Sequence, residues 1–145
     1  MAGLVASGCK VEISTNGTAW TDISGYATSI DPGDLVRNDG EVYVFGNDKA
    51  EVTTGKLAVR EISIDILYEE GTACPYGTIR SAIENNTPYY VRWSPQGGTI
   101  TGYYKFTSDV GHWVSVNDPM SEADSADAVV LTATFKTPGV TKATY

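Results

Sequence analysis

Over most of the chain apolar and polar residues alternate with a period of two, the pattern of strands with one buried and one wet face. Cys9, Val11 and Ile13 alternate with Lys10, Glu12 and Ser14, which predicts a half-buried strand. Asn16-Gly17 follows as a hairpin turn, because both residue types tolerate positive φ. Trp20 and Ile23 resume the apolar pattern, and Tyr26 to Ile30 reads as a further short strand. The longest alternation runs from Leu57 to Glu69. One face holds Ala58, Arg60, Ile62, Ile64, Ile66 and Tyr68; the other holds Val59, Glu61, Ser63, Asp65, Leu67 and Glu69. Its centre is apolar on one side and anionic on the other, as in an antiparallel sheet with one solvated face. Tyr89 to Trp93, Ile100 to Thr107, Trp113 to Val116 and Ala128 to Thr137 complete the strands. Pro138-Gly139 then releases a tail, residues 138–145, which lacks periodicity and reads equally as a frayed end or a contact arm.

Helical spacing occurs once. Tyr76, Ile79 and Ile83 lie at i, i+3 and i+7, predicting a helix over 74–86 that packs on a sheet. Thr72 is the candidate N-cap, Pro75 suits the first turn, and Asn85-Asn86 with Pro88 ends the helix. Between strands, Asp31-Pro32-Gly33-Asp34 breaks the chain and opens a long extended excursion, residues 31–56, with Asp39-Gly40 as its expected tip. Asn117 to Asp127 is acidic and reads as a surface loop.

Size and charge narrow the function classes. At 145 residues the chain fits a single domain, 1–145, with a short N-terminal segment 1–8 ahead of the first strand. Its 41% hydrophobic and 19% charged residues are those of a globular protein with a real core. No apolar run approaches the roughly 20 residues of a spanning helix, so no membrane partner is expected. A net charge of −8 disfavours gripping nucleic acid by its phosphates, though not a surface past which nucleic acid slides. The first eight residues lack the basic and apolar regions of a secretory signal. Cys9 and Cys74 are far apart and form no C-x-x-C, so free thiols are expected.

Catalytic machinery is not legible. The single histidine, His112, stands beside Gly111 and Trp113 at a strand start, with no nucleophile elbow, phosphate loop or dinucleotide fingerprint elsewhere. One histidine and two separated cysteines do not make a zinc site. Asp118, Glu122, Asp124 and Asp127 lack the glycine and bidentate glutamate of an EF-hand and read as a solvated loop. Asn16-Gly17-Thr18 matches a glycosylation sequon but reads as a turn. Trp20, Trp93 and Trp113 lie in or beside alternating strands and are expected in the core rather than on a sugar-binding platform. The expectation is a non-enzymatic protein with no catalytic residues, no metal and no cofactor.

Several segments in order resemble the major tail (tail tube) proteins of long, non-contractile-tailed bacteriophages. Val11-Glu-Ile-Ser-Thr-Asn-Gly-Thr-Ala-Trp-Thr-Asp-Ile-Ser-Gly25 is similar to the family's opening strand, turn and Trp-x-x-Ile-Ser-Gly. Tyr90-Val-Arg-Trp-Ser-Pro-Gln-Gly97, followed by Gly102-Tyr-Tyr-Lys-Phe-Thr-Ser108, is similar to its later core. No single motif is diagnostic; the resemblance lies in the order of elements from Val11 to Thr137.

The resemblance implies a mainly β fold, an antiparallel β-sandwich or partial barrel with one flanking α-helix. It implies hexameric rings stacked into a hollow tube for DNA ejection, with tape-measure protein and DNA in the lumen and no sequence-specific binding. Tail terminator and distal tail proteins would be further partners. The location would be the virion tail, after synthesis in the bacterial host cytoplasm. The excursion 31–56 corresponds to the family's inter-ring arm, with Leu35, Arg37, Asp39, Val42, Val44 and Phe45 as contacts. Glu61, Ser63 and Asp65 are expected to line the lumen, the outer surface being the rival location for that wet face. Two other readings stand beside this one: a terminator or head–tail connector, which forms single rings, and a monomeric β-sandwich binding module.

Overall fold

The computed structural model of the chain describes residues 8–98, 100–123 and 127–145. Residues 1–7 and Asp124 lie outside them, and with them nearly all of the N-terminal segment and one carboxylate of the acidic loop. Among the described residues the order is β1 (Lys10–Ser14), β2 (Thr21–Asp22), β3 (Ala27–Asp31), β4 (Arg37–Val42), β5 (Glu51–Leu57), β6 (Arg60–Leu67), α1 (Pro75–Glu84), β7 (Pro88–Ser94), β8 (Tyr104–Ser108), β9 (Gly111–Val116), β10 (Val130–Thr137) and β11 (Val140–Thr144).

Two antiparallel sheets share one core. The first runs β2-β1-β7-β8-β11, and the second runs β3-β6-β10-β9. They join at β7, whose first residues, Pro88 and Tyr89, pair with His112 and Gly111 of β9. Val11, Ile13, Val91 and Trp93 face the core from the first sheet; Ile62, Ile64, Ile66, Trp113, Ala133 and Phe135 face it from the second. The β6 isoleucines are fully buried, and each contributes about 1.5–3 kcal/mol by leaving water. Gly111 is needed where β9 crosses β10, because a Cβ there would collide with the Lys136 carbonyl and the Phe135 ring. The helix lies on β9 and buries Pro75, Ile79 and Ala82. The fold is a mainly β sandwich with one flanking helix.

Several local expectations need correction. β1 is buried on both faces, because Glu12 is covered as well, with Arg92 paired to it and stacked on Trp20. In the turn that follows only Gly17 takes positive φ; Asn16 works instead through its side-chain Oδ1, which accepts the N–H groups of Thr18 and Ala19. The N-cap of α1 is Cys74 rather than Thr72, with no side-chain capping bond. Ile100 to Tyr103 is a turn rather than the start of a strand, with Gly102 at φ +90°. The tail is neither frayed nor free. Residues 140–144 form β11 along β8, and the Tyr145 hydroxyl meets Ser94 Oγ.

The longest alternation is two strands, not one. Leu57 closes β5 and Arg60 opens β6, with Ala58 and Val59 between them. The break follows from a neck at this point. Arg60 donates from Nε to the Pro32 carbonyl at 2.9 Å and from Nη2 to the Gly33 carbonyl at 3.4 Å. Gly33 sits at φ +68°, and a Cβ there would lie 2.7 Å from the Glu61 carbonyl oxygen, so only glycine fits. The chain is thus pinched where it leaves the body and where it returns.

Candidate assembly interface

Beyond the neck, β4 and β5 form a two-stranded sheet of their own, paired from Arg37↔Leu57 to Val42↔Glu51. Asp39-Gly40, the expected tip, lies inside β4 opposite Thr54 and Thr53. Gly40 does not adopt positive φ, so the dipeptide makes no primed turn and the strands run on to a tip at 43–50. Arg37 Nη1 donates to the Gly55 carbonyl at 2.8 Å and staples the two strands. Val42 ends β4, and Val44 and Phe45 stand in the tip, closed by the Asn47 N–H to the Val44 carbonyl. Every residue of both strands is exposed.

The arm's surface is apolar out of proportion to its length. Of the sixteen large hydrophobic residues exposed among the described ones, nine lie between Leu35 and Val59. Phe45 projects fully, at 113% relative exposure. An isolated hairpin is marginal in water, and a patch of this kind marks a surface that another molecule covers. The residues read from the sequence as arm contacts all stand on this hairpin or its stem, but Tyr43 and Val52, both exposed, belong with them. Only the true register, which carries the tip past Asp39-Gly40, brings these two into the set.

The second candidate surface is the outer face of the β3-β6-β10-β9 sheet. Glu61, Ser63 and Asp65 share it, opposite the buried isoleucines. Cross-strand register arranges it in rows: Ser29, Asp65 and Thr132; Asp31, Ser63, Thr134 and Ser115; Glu61, Lys136 and His112. Asp65 accepts from Ser29 Oγ at 2.9 Å and Thr132 Oγ1 at 2.7 Å. Lys136 Nζ lies 4.0 Å from Glu61, both half-exposed. The face is therefore less anionic than β6 alone implies. Lys136 is the residue that reading missed, because it reaches the row through a partner strand some 75 positions away in sequence.

Among the described residues the remaining polar clusters are structural. Arg80 donates to Glu84, to the Tyr76 hydroxyl and to Asp118, which raise its pKa in that order, and Tyr76 also donates to Asp118, so these groups hold the root of the acidic loop against α1. Among the described residues no three His, Cys, Asp or Glu side chains converge as a metal site. Cys9 and Cys74 are free thiols, and burial pushes the Cys9 thiol up. Trp93 and Trp113 are core; Trp20 is half-exposed beneath Arg92.

No protein-family model and no curated protein sequence matches the chain. Solved structures do. The tube-terminating cap of the anti-feeding prophage superposes with a TM-score of 0.76 at 15% identity, covering 100% of this chain and 93% of that one. The chain has a tail tube fold. A subunit of the sheath-tube complex of an extracellular contractile injection system, PVC, gives 0.76 at 14% identity, covering 99% and 93%. The SPP1 tail tube protein gives 0.70 at 11% identity, covering 99% and 80%. On this tail tube fold the exposed arm and the row-patterned sheet face are two surfaces, among the described residues, that the core of the body does not use.

Proposed function

We propose that the protein is a structural subunit of a tail tube, assembling as stacked hexameric rings into the conduit for DNA ejection. The observation that carries this reading is the arm: a two-stranded hairpin exposed along its whole length, with an apolar tip, on a tail tube fold. Such a hairpin is stable only when docked, and the partner of a polymerising subunit is another copy of itself. A copy in the next ring receives the arm, through Leu35, Arg37, Asp39, Val42, Val44 and Phe45. The face bearing Glu61, Ser63 and Asp65 lines the lumen, where tape-measure protein and DNA lie against hydroxyls and partnered carboxylates. Terminator and distal tail proteins close the two ends, and the assembled protein resides in the virion tail.

Replacing residues 35–58 by a short Gly-Ser turn should leave a folded monomer, since the body makes its core without them. Negative-stain microscopy should then show no tubes. Tubes of normal length from that variant would overturn the reading. The similarity to a tube-terminating cap favours one alternative, a terminator forming single rings. Lone rings from the intact protein at every concentration would select it.

A further inference from the structure

The arm's direction rests on a few bonds at its base. β4 and β5 pack chiefly on each other, and neither makes more than marginal contact with a strand or helix of the body. The neck is what ties them to it. The Ala58 N–H donates to the Val36 carbonyl at 2.8 Å and closes the hairpin below its two strands. Arg60 reaches the Pro32 and Gly33 carbonyls, 28 and 27 positions away in sequence. The Gly33 N–H donates to Asp31 Oδ1 at 3.0 Å, which turns the outgoing chain against Glu61. None of the ion pairs among the described residues includes Arg60, so its guanidinium serves these carbonyls rather than a carboxylate. Six residues of β4, at about 3.4 Å each, carry the tip about 20 Å from this base.

Resting on the reading of the arm as a contact between stacked copies, we propose that Arg60 is the arm's positioning residue: its clamp on the Pro32 and Gly33 carbonyls fixes, before assembly, the direction in which the arm leaves the body. Two features make the clamp specific to arginine and glycine. The guanidinium is a planar fork whose Nε and Nη2 reach two successive carbonyls at once, whereas the ammonium of a lysine is a single point. Gly33 lets the outgoing chain lie against the Glu61 carbonyl, where any Cβ would collide. A long lever turns small errors at its base into large ones at its tip. Over about 20 Å, a tilt of about 20° moves Phe45 by about 7 Å, well outside the tolerance of a built contact. A hairpin already held in direction also gives up less orientational freedom when it docks, so the clamp favours assembly without touching the neighbouring copy. Docking still supplies what the tip lacks, since Val42, Tyr43, Val44 and Phe45 are exposed in the single copy.

Amide exchange and assembly, measured on the same variants, test this. In the dispersed subunit the Ala58 and Gly33 amides should be protected. Arg60→Lys keeps the charge but not the fork. It should speed exchange of both amides by about tenfold and raise the critical concentration for polymerisation by about as much, the factor that one lost hydrogen bond of a charged group makes. The amides from Ile62 to Ile66, flanked by β3 and β10, should exchange as in the parent, which separates a loosened neck from a loosened body. Gly33→Ala should act in the same way, by forcing the chain off the Glu61 carbonyl. Unprotected Ala58 and Gly33 amides in the parent, or either variant polymerising at the parent's critical concentration, would overturn the clamp while leaving the arm's own role intact. Weaker assembly with unchanged exchange at the neck would overturn it too, because Arg60 would then act by another route. Failure of the parent protein to polymerise at all would overturn both readings.

Discussion

Glu12 is 5% exposed, and Arg92 donates to both of its carboxylate oxygens at 2.9 Å while its guanidinium lies 4.3 Å above the centre of Trp20. An ion pair taken this far out of water is held by geometry, and removing Arg92 leaves the buried Glu12 only the long contact to Lys10 at 3.9 Å. Arg92→Leu should therefore cost about 3–5 kcal/mol in urea unfolding. The double change with Glu12→Leu should recover much of that loss, since an apolar pair leaves no orphaned charge. A single replacement costing under about 1 kcal/mol would show that solvent reaches the pair after all. Asp22, on the neighbouring β2, is a milder case. Hydrogen bonds from Ser24 hold its carboxyl below the usual carboxylate range. Because the folded value is the lower one, the stabilisation is present above the unfolded pKa, about 3.9, and is lost as pH falls through the folded value. Asp22→Asn should bring the urea midpoints at pH 3 and pH 6 slightly closer together; an unchanged gap would remove this contribution.

At the scale of elements, the C-terminal strand makes the firmest prediction. β11 covers the edge of β8 over five register pairs, Val140 packs against the core, and Lys142 and Lys105 lie over the rings of Tyr104 and Tyr145. Truncation after Thr137 should lower both the urea midpoint and the m-value, because less surface is then exposed on unfolding. An unchanged midpoint would mean that the strand adds nothing to the body. Legibility followed burial. β6 and β10 were readable because a full core face imposes strict alternation on Ile62, Ile64 and Ile66, and on Leu131, Ala133 and Phe135. The arm was misregistered because no core side disciplines it: Val42, Val52 and Leu57 are exposed, and the Asp39-Gly40 signal was purely local. The break at Ala58-Val59 was hidden because a tertiary neck between Arg60 and the Pro32 and Gly33 carbonyls causes it. The pairing of β11 with β8 lay hidden for a similar reason, since a short Thr-Lys-Ala-Thr run has little pattern of its own. The composition of the arm was legible, because its apolar residues Val42, Tyr43, Val44 and Phe45 are contiguous in the sequence.

For the whole molecule, the proposed conduit turns on which sheet face would line the lumen. The face of β6 bearing Glu61 and Asp65 is continuous with β3, β10 and β9, and each of these carboxylates has a partner in its row. If it lines a lumen, repetition around each ring and along the stack presents hydroxyls and occupied carboxylates, with Lys136 held toward Glu61. At physiological salt the screening length is about 8 Å, so only groups on that wall act on the duplex. Reversing the charge should reveal this. Glu61→Lys places a second ammonium beside Lys136 and His112, and Asp65→Lys adds another one row away. Glu61→Lys is a surface change costing within about 0.5 kcal/mol. Asp65→Lys gives up two hydroxyl hydrogen bonds and should cost more, about 1–3 kcal/mol, without unfolding the sandwich. Tails carrying both changes should assemble but release DNA slowly, and most slowly at low salt, because each new phosphate contact weakens as counterions compete. Release matching the parent at every salt concentration would place this face on the outside of the tube. A delay that did not shrink with added salt would point instead to a lumen deformed by the lost Ser29 and Thr132 contacts.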